Sequence, residues 1–166
     1  DKTGTITTGQ PTVKDIYPIG DMSKNDLLQI AYSVEQKSEH PFAKAIIAKA
    51  QQENIQALAT EQFKNVVGSG IEATLNNHLM QAGSMSYIHT VTDISSDIQA
   101  KADQYASEGK TPLFFAQDGK LIGMITAADT IKDDSYNAIT KLKKLGMQVV
   151  MLTGDNERTA SAIAKV

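Results

Sequence analysis

The strongest constraint on the fold is a pair of tight-turn signals set between short alternating runs. Ile71, Ala73 and Leu75 alternate with Glu72 and Thr74, Asn76-Asn77 follows, and His78 to Ala82 has the length to return. Leu113 to Ala116 and Leu121 to Ile125 flank Asp118-Gly119 in the same way. Asn and Asp-Gly tolerate the positive φ of hairpin turns, so both stretches read as antiparallel hairpins. Val67-Gly68-Ser69-Gly70 introduces the first. Thr7 to Pro18 reads as another short strand, with breakers at Gly9, Pro11 and Pro18.

Helical periods stand beside these hairpins. Ser23 with Asp26 three residues on has the spacing of a capping box, and Leu27, Ile30, Ala31 and Val34 then share one face. Pro41 suits the first turn of a second helix, which buries Phe42, Ala45 and Ile46. Residues 36–40 join the two into a helical hairpin. A further stripe, Ile94, Ile98, Ala102 and Tyr105, stops at Gly109.

From Asp129 the pattern changes. A helix over 134–145 stops at Gly146, an apolar run from Gln148 to Leu152 reads as a buried strand, and Thr153-Gly154-Asp155 leads into a last helix from about Asn156. Helix, apolar strand, polar turn and helix is α/β grammar. The expected fold class is therefore α/β: an α+β insert over 12–127, with antiparallel sheet and helical hairpins, inside a split α/β domain made of 1–11 and 128–166.

Composition narrows the function classes. A length of 166 residues suits one domain or a domain plus part of a second. No apolar run approaches the ~20 residues that cross a bilayer, and no signal peptide is expected. A net charge of −3 gives no electrostatic footprint for nucleic acid. The absence of cysteine removes disulfides and thiolate metal sites.

Three motifs carry chemistry. The chain begins Asp1-Lys2-Thr3-Gly4-Thr5-Ile6-Thr7: a carboxylate nucleophile, a cation and a hydroxyl in one loop. Thr153-Gly154-Asp155 follows the apolar run near the other end, and Ser38-Glu39-His40-Pro41 opens a helix between them. Each is weak alone: a solvated start, an N-cap at Asp155 and a histidine cap before proline are the ordinary readings. Together, across almost the whole chain, they resemble the ATP-hydrolysing segment of heavy-metal-transporting P-type ATPases, which share a haloacid-dehalogenase-like fold.

The resemblance implies a role for each matching position. Asp1 matches the aspartate that accepts the γ-phosphoryl group of ATP, Lys2 the cation beside it, and Thr153 with Gly154 the loop that steadies the phosphate. Asp155 matches an aspartate near that phosphate. Thr3 stands where related phosphatases carry an acid/base aspartate, so an aspartyl phosphate is expected to persist. Asp1 and Thr3 are the positions implied for Mg²⁺. Glu39 is implied to accept hydrogen bonds from the adenine amino group and His40 to pack beside the base. Gly68 and Gly70 match a Gly-x-Gly stretch that admits a ligand against the backbone, although a strand bulge explains such glycines equally well. Ser84 stands where many members carry asparagine near the nucleotide. Asp129-Thr130-Ile131-Lys132 resembles the family's Asp-Pro-Ile-Lys hinge, with Thr130 in place of proline. His78 and His89 read as surface histidines.

The implied whole is a pump at the cytoplasmic face of a membrane. This soluble segment would serve transmembrane, actuator and remaining phosphorylation-domain parts, with copper foremost as the implied cargo and silver, zinc or cadmium open. Any soft sulfur ligands for that cargo must lie outside these residues. ATP and Mg²⁺ are the expected cofactors. The 166 residues contain no Gly-Asp-Gly-x-x-Asn-Asp magnesium loop, so nucleotide binding without appreciable turnover is expected of them. Two other readings stay open: a phosphatase of the same superfamily, and a non-catalytic nucleotide-binding or regulatory module.

Overall fold

The computed structural model describes residues 1–154 and 157–165. Six strands form one antiparallel sheet in the order β1-β6-β5-β4-β3-β2. They are β1 (Thr12–Pro18), β2 (Glu61–Val66), β3 (Gly70–Leu75), β4 (His78–Gly83), β5 (Thr111–Gln117) and β6 (Lys120–Ala128). Both expected hairpins form. The β3–β4 turn places Asn76 and Asn77 at φ 50° and 64°, and the β5–β6 turn places Asp118 and Gly119 at 49° and 74°, as primed two-residue turns require.

Alternation along the strands divides the sheet's side chains between two helical layers. On one face lie α1 (Lys24–Glu35) and α2 (Pro41–Gln52), burying Leu27, Ala31, Val34 and Ile46 against Ile71, Leu75, Phe115 and Ile125. On the other lie α3 (Met85–Ile88) and α4 (Ser96–Ser107), which bury Ile88, Ala102 and Tyr105 against Phe114 and Met124. The Ser23 hydroxyl accepts from the Asp26 N–H at 3.0 Å and donates to the Asp26 carboxylate at 2.6 Å, so α1 starts where its capping signal stands. α4 ends at Gly109, whose φ is 77°.

The C-terminal portion departs from expectation. α5 (Ser135–Lys144) and α6 (Glu157–Ala164) form, but among the described residues no strand separates them, and the segment expected to be buried leaves Val150 67% and Leu152 70% exposed. Apolar character alone does not make a strand. Its N–H and C=O groups need a neighbouring ladder, and among the described residues no strand lies alongside 148–152. α6 instead packs on α4, with the Thr159 hydroxyl donating to the Lys110 carbonyl at 3.3 Å.

Candidate active and nucleotide-binding site

The opening motif folds into a tight loop outside the sheet. Thr3 at φ −69°, ψ 121° and Gly4 at φ 77°, ψ −9° are the two central residues of a type II turn, a geometry that needs glycine at the second place. The Lys2 carbonyl closes the loop by accepting from the Thr7 N–H at 3.0 Å and the Thr7 hydroxyl at 3.1 Å. Asp1 and Thr3 are left exposed, whereas Lys2 is 5% exposed.

Two loops from opposite ends of the chain meet here. The Lys2 N–H donates to the Leu152 carbonyl at 3.0 Å, which sets Asp1 beside Thr153, one peptide unit away on each side. Thr153 is half-buried and Gly154 exposed. Asp155, expected in the same cluster, lies outside the described residues.

Residues 129–135, which lead from β6 into α5, brace the opening loop. Asp129 accepts from the Thr7 hydroxyl at 2.5 Å, the Thr8 hydroxyl at 2.8 Å and the Gly9 N–H at 3.0 Å. Burial by itself would raise the Asp129 pKa, but these bonds from the Thr7 and Thr8 hydroxyls and the Gly9 and Gln10 N–H groups hold it below its ordinary value. The Thr8 N–H donates to the Thr130 carbonyl at 2.8 Å, Lys132 donates from its amide to the Ile6 carbonyl at 3.0 Å, and its ammonium reaches the Gly4 carbonyl at 2.8 Å. Hydrogen bonds thus fix the segment around Thr130.

The second cluster sits where α1 turns into α2. His40 caps α2: its Nδ1 accepts from the Phe42 N–H at 3.2 Å, and its ring stands 5.0 Å from the Phe42 ring. Accepting at Nδ1 requires the neutral tautomer with the proton on Nε2. Desolvation agrees, holding the imidazole pKa below its ordinary value. Glu39 and His40 are both exposed, and His40 serves as a helix cap while its Nε2 edge remains directed away from that bond.

Just before this turn stands Glu35, which the sequence reading did not single out. It is 6% exposed, and burial raises its pKa to about 7 against the opposing hydrogen bond from Ser38. One signal was available: a carboxylate in the last turn of a helix opposes the helix dipole.

The Gly68–Gly70 turn and Ser84 come together at the start of β3 and the end of β4. The Ser84 N–H donates to the Ser69 carbonyl at 3.2 Å, and the Ser84 hydroxyl accepts from the Tyr87 N–H at 3.3 Å. The two glycines differ in kind. Gly68 has φ 69° and open space around its Cβ position, whereas a Cβ at Gly70 would lie 2.1 Å from the Ala82 carbonyl and 2.8 Å from the Tyr87 ring. Gly70 is glycine because the protein itself fills that space. Among the described residues no hydrogen bond joins Glu39 or His40 to Gly68, Gly70 or Ser84. His78, read as a surface histidine, pairs with Asp118 across the two hairpin turns at 2.5 Å, both side chains about half-exposed.

Comparisons with known proteins agree on the affinity of the chain. A family model described as haloacid dehalogenase-like hydrolase matches residues 1–166. The chain is 39% identical over 165 residues to a copper-exporting P-type ATPase of Bacillus subtilis (strain 168), with 99% of this chain and 21% of that protein covered. It is 40% identical over 166 residues to a copper-exporting P-type ATPase of Vibrio cholerae serotype O1 (strain ATCC 39315 / El Tor Inaba N16961), with 99% and 18% covered. It also superposes on the crystal structure of a zinc-transporting PIB-type ATPase, with TM-score 0.74, 35% identity, and 99% of this chain and 26% of that one covered. The chain therefore spans about a fifth of the length of the curated relatives it matches.

Proposed function

The chain belongs to the haloacid dehalogenase-like hydrolase family, and from that premise we propose that it is the nucleotide-binding and partial phosphorylation segment of a heavy-metal-transporting P-type ATPase, with copper as cargo. One observation carries the reading: the Lys2 N–H to Leu152 carbonyl bond joins the two loops that the chemistry requires and that the sequence separates by nearly the whole chain.

In the intact pump, ATP would bind the module of residues 12–127 at Glu39, His40, Gly68, Gly70 and Ser84. An Asp1 carboxylate oxygen would attack the γ-phosphorus. An O–P bond forms at Asp1, the bridging O–P bond breaks, and ADP leaves with the electron pair. Lys2 would offset charge on the transferred group, and the Thr153 hydroxyl would steady it as a hydrogen-bond donor. Residues 1–11 and 128–166 would form part of the phosphorylation domain. Thr3 carries no carboxylate to activate water, so the acyl phosphate would outlast the transfer step.

Among the described residues no cluster of three His, Asp or Glu side chains is placed to hold a metal. Asp1 and Thr3, both exposed in the opening loop, would offer Mg²⁺ one carboxylate and one hydroxyl, the remaining places being taken by phosphate oxygens and water. Mg²⁺ bound there would neutralise charge on the nucleotide.

The exposed apolar side chains Leu145, Met147, Val150 and Leu152 suit burial by the rest of a phosphorylation domain. Among the described residues no helix is long and apolar enough to cross a membrane. Membrane spans and the placement of this segment at the cytoplasmic face belong to the proposed whole protein.

The test is a titration of the 166-residue chain with ATP, following backbone amide resonances. Perturbations clustered at Glu39, His40 and Gly68–Gly70, with negligible ATP hydrolysis, support the reading. Unchanged spectra would leave a regulatory module, and steady turnover of small phosphoesters a phosphatase.

A further inference from the structure

We propose that Tyr87 is a positioning residue of the nucleotide site, fixing the Gly68–Gly70 turn and Ser84 in one arrangement through its ring and its hydroxyl. This rests on the functional reading above and goes beyond it by naming what builds the site.

The geometry begins with register. Gly70 pairs with Gly83, and Glu72 with Gln81, across β3 and β4. With period-two alternation all four residues address the face that carries α3. The two pairs are two residues apart along the strand, about 7 Å at the usual rise. That span is comparable to a tyrosine side chain.

Tyr87 occupies it. A Cβ on either Gly70 or Gly83 would lie 2.8 Å from Tyr87 Cδ1, so the ring rests on the glycine pair. The hydroxyl donates to Glu72 Oε1 at 2.8 Å, and the Gln81 amide donates to the same oxygen at 3.0 Å. Those two bonds hold Glu72 below its ordinary pKa. Burial, with the bond to Glu72, pushes the phenol up to about 12, so it remains a donor at working pH.

Two further bonds extend from this contact. The Tyr87 N–H donates to the Ser84 hydroxyl at 3.3 Å, and the Ser84 N–H donates to the Ser69 carbonyl at 3.2 Å. The ring therefore rests on Gly70 and Gly83, the hydroxyl ties it to Glu72, and the Tyr87 backbone N–H reaches Ser84 and, through Ser84, the Ser69 carbonyl of the glycine turn. A nucleotide bound there would meet a turn already held in place, which lowers the ordering cost of binding.

The experiment is calorimetric titration of ADP into the 166-residue chain and its variants, with amide hydrogen exchange and thermal unfolding measured on the same samples. Tyr87→Phe keeps the ring and deletes the bond. Its Kd is expected to rise severalfold, up to about the fivefold that one hydrogen bond is worth, with faster exchange at Ser69, Gly70 and Ser84 and an unfolding midpoint lowered by no more than about 4 °C. Glu72→Ala should match it, and the double variant should be no weaker than either. Glu72→Gln, which keeps an acceptor oxygen, should restore binding to within about twofold.

Equal Kd values for the unmodified chain and Tyr87→Phe would overturn the inference while leaving the functional reading intact. So would a loss of affinity that tracks only a fall in the unfolding midpoint, with exchange at those amides unchanged. Absence of ADP binding by the unmodified chain would instead refute the functional reading, and this inference with it.

Discussion

Glu35 shows how one side chain records its surroundings. Its carboxyl is charged in the unfolded chain above about 4.5, yet burial raises its folded pKa to about 7. Between those values the folded state binds a proton that the unfolded state has released. The contribution of this group to stability should therefore be greatest below about 4.5 and be lost as pH rises through about 7. The whole interval corresponds to at most about 3 kcal/mol. Glu35→Gln should abolish most of this slope, leaving a variant more stable than the unmodified chain at about pH 8 and similar at about pH 4. Urea unfolding across that range measures it. A slope that survives the substitution would place the titration on another group.

Elements impose a different kind of constraint, visible in the two glycines before β3. Gly68→Ala meets open space and only a left-handed φ, so its cost should be about 1–2 kcal/mol. Gly70→Ala drives a methyl group onto the Ala82 carbonyl and the Tyr87 ring, where overpacking costs about 1–3 kcal/mol or more and moves backbone. Equilibrium unfolding should rank Gly70→Ala as the more destabilising, with a distorted β3–β4 ladder in its amide spectrum. Equal effects would mean the ring yields easily.

The contact between the opening loop and residues 129–132 poses the same question for Asp129. Asp129→Ala removes acceptors for the Thr7 and Thr8 hydroxyls and the Gly9 N–H. Amide exchange at Thr8 and Lys132 should quicken about tenfold or more, since losing charge-assisted bonds costs about 1.5–3 kcal/mol. Unaltered exchange there would assign the bracing instead to Lys132 and to the Ser135 hydroxyl, which donates to the Ile6 carbonyl at 2.7 Å.

At the scale of the molecule, stability should be uneven. The central strands β4, β5 and β6 are paired on both edges and covered by helices on both faces, so their amides should exchange only through global unfolding. Within residues 147–154 the Met147, Val150 and Leu152 side chains are exposed and no strand partner lies alongside among the described residues, so these amides should exchange orders of magnitude faster. Protection of 148–152 comparable to that of β5 would show that the segment forms a buried strand after all.

Much of the fold was legible because it depends on neighbours in sequence. The Ser23 cap, Pro41 at the start of α2, and the Asn76-Asn77 and Asp118-Gly119 turns act through backbone preferences within a few residues, and each stands where its local chemistry required. The three motifs pointed to the right family for the same reason, since residue types at fixed spacing are a property of the chain alone. Long-range contact decided the rest. Whether an apolar run such as 148–152 becomes a strand depends on a partner for its backbone, which no local pattern supplies. That Gly70 makes room for Tyr87, that Glu35 is buried beside the helical turn, and that Asp129 grips Thr7 and Thr8 depend on atoms brought together from distant positions, and only the packed structure could assign them.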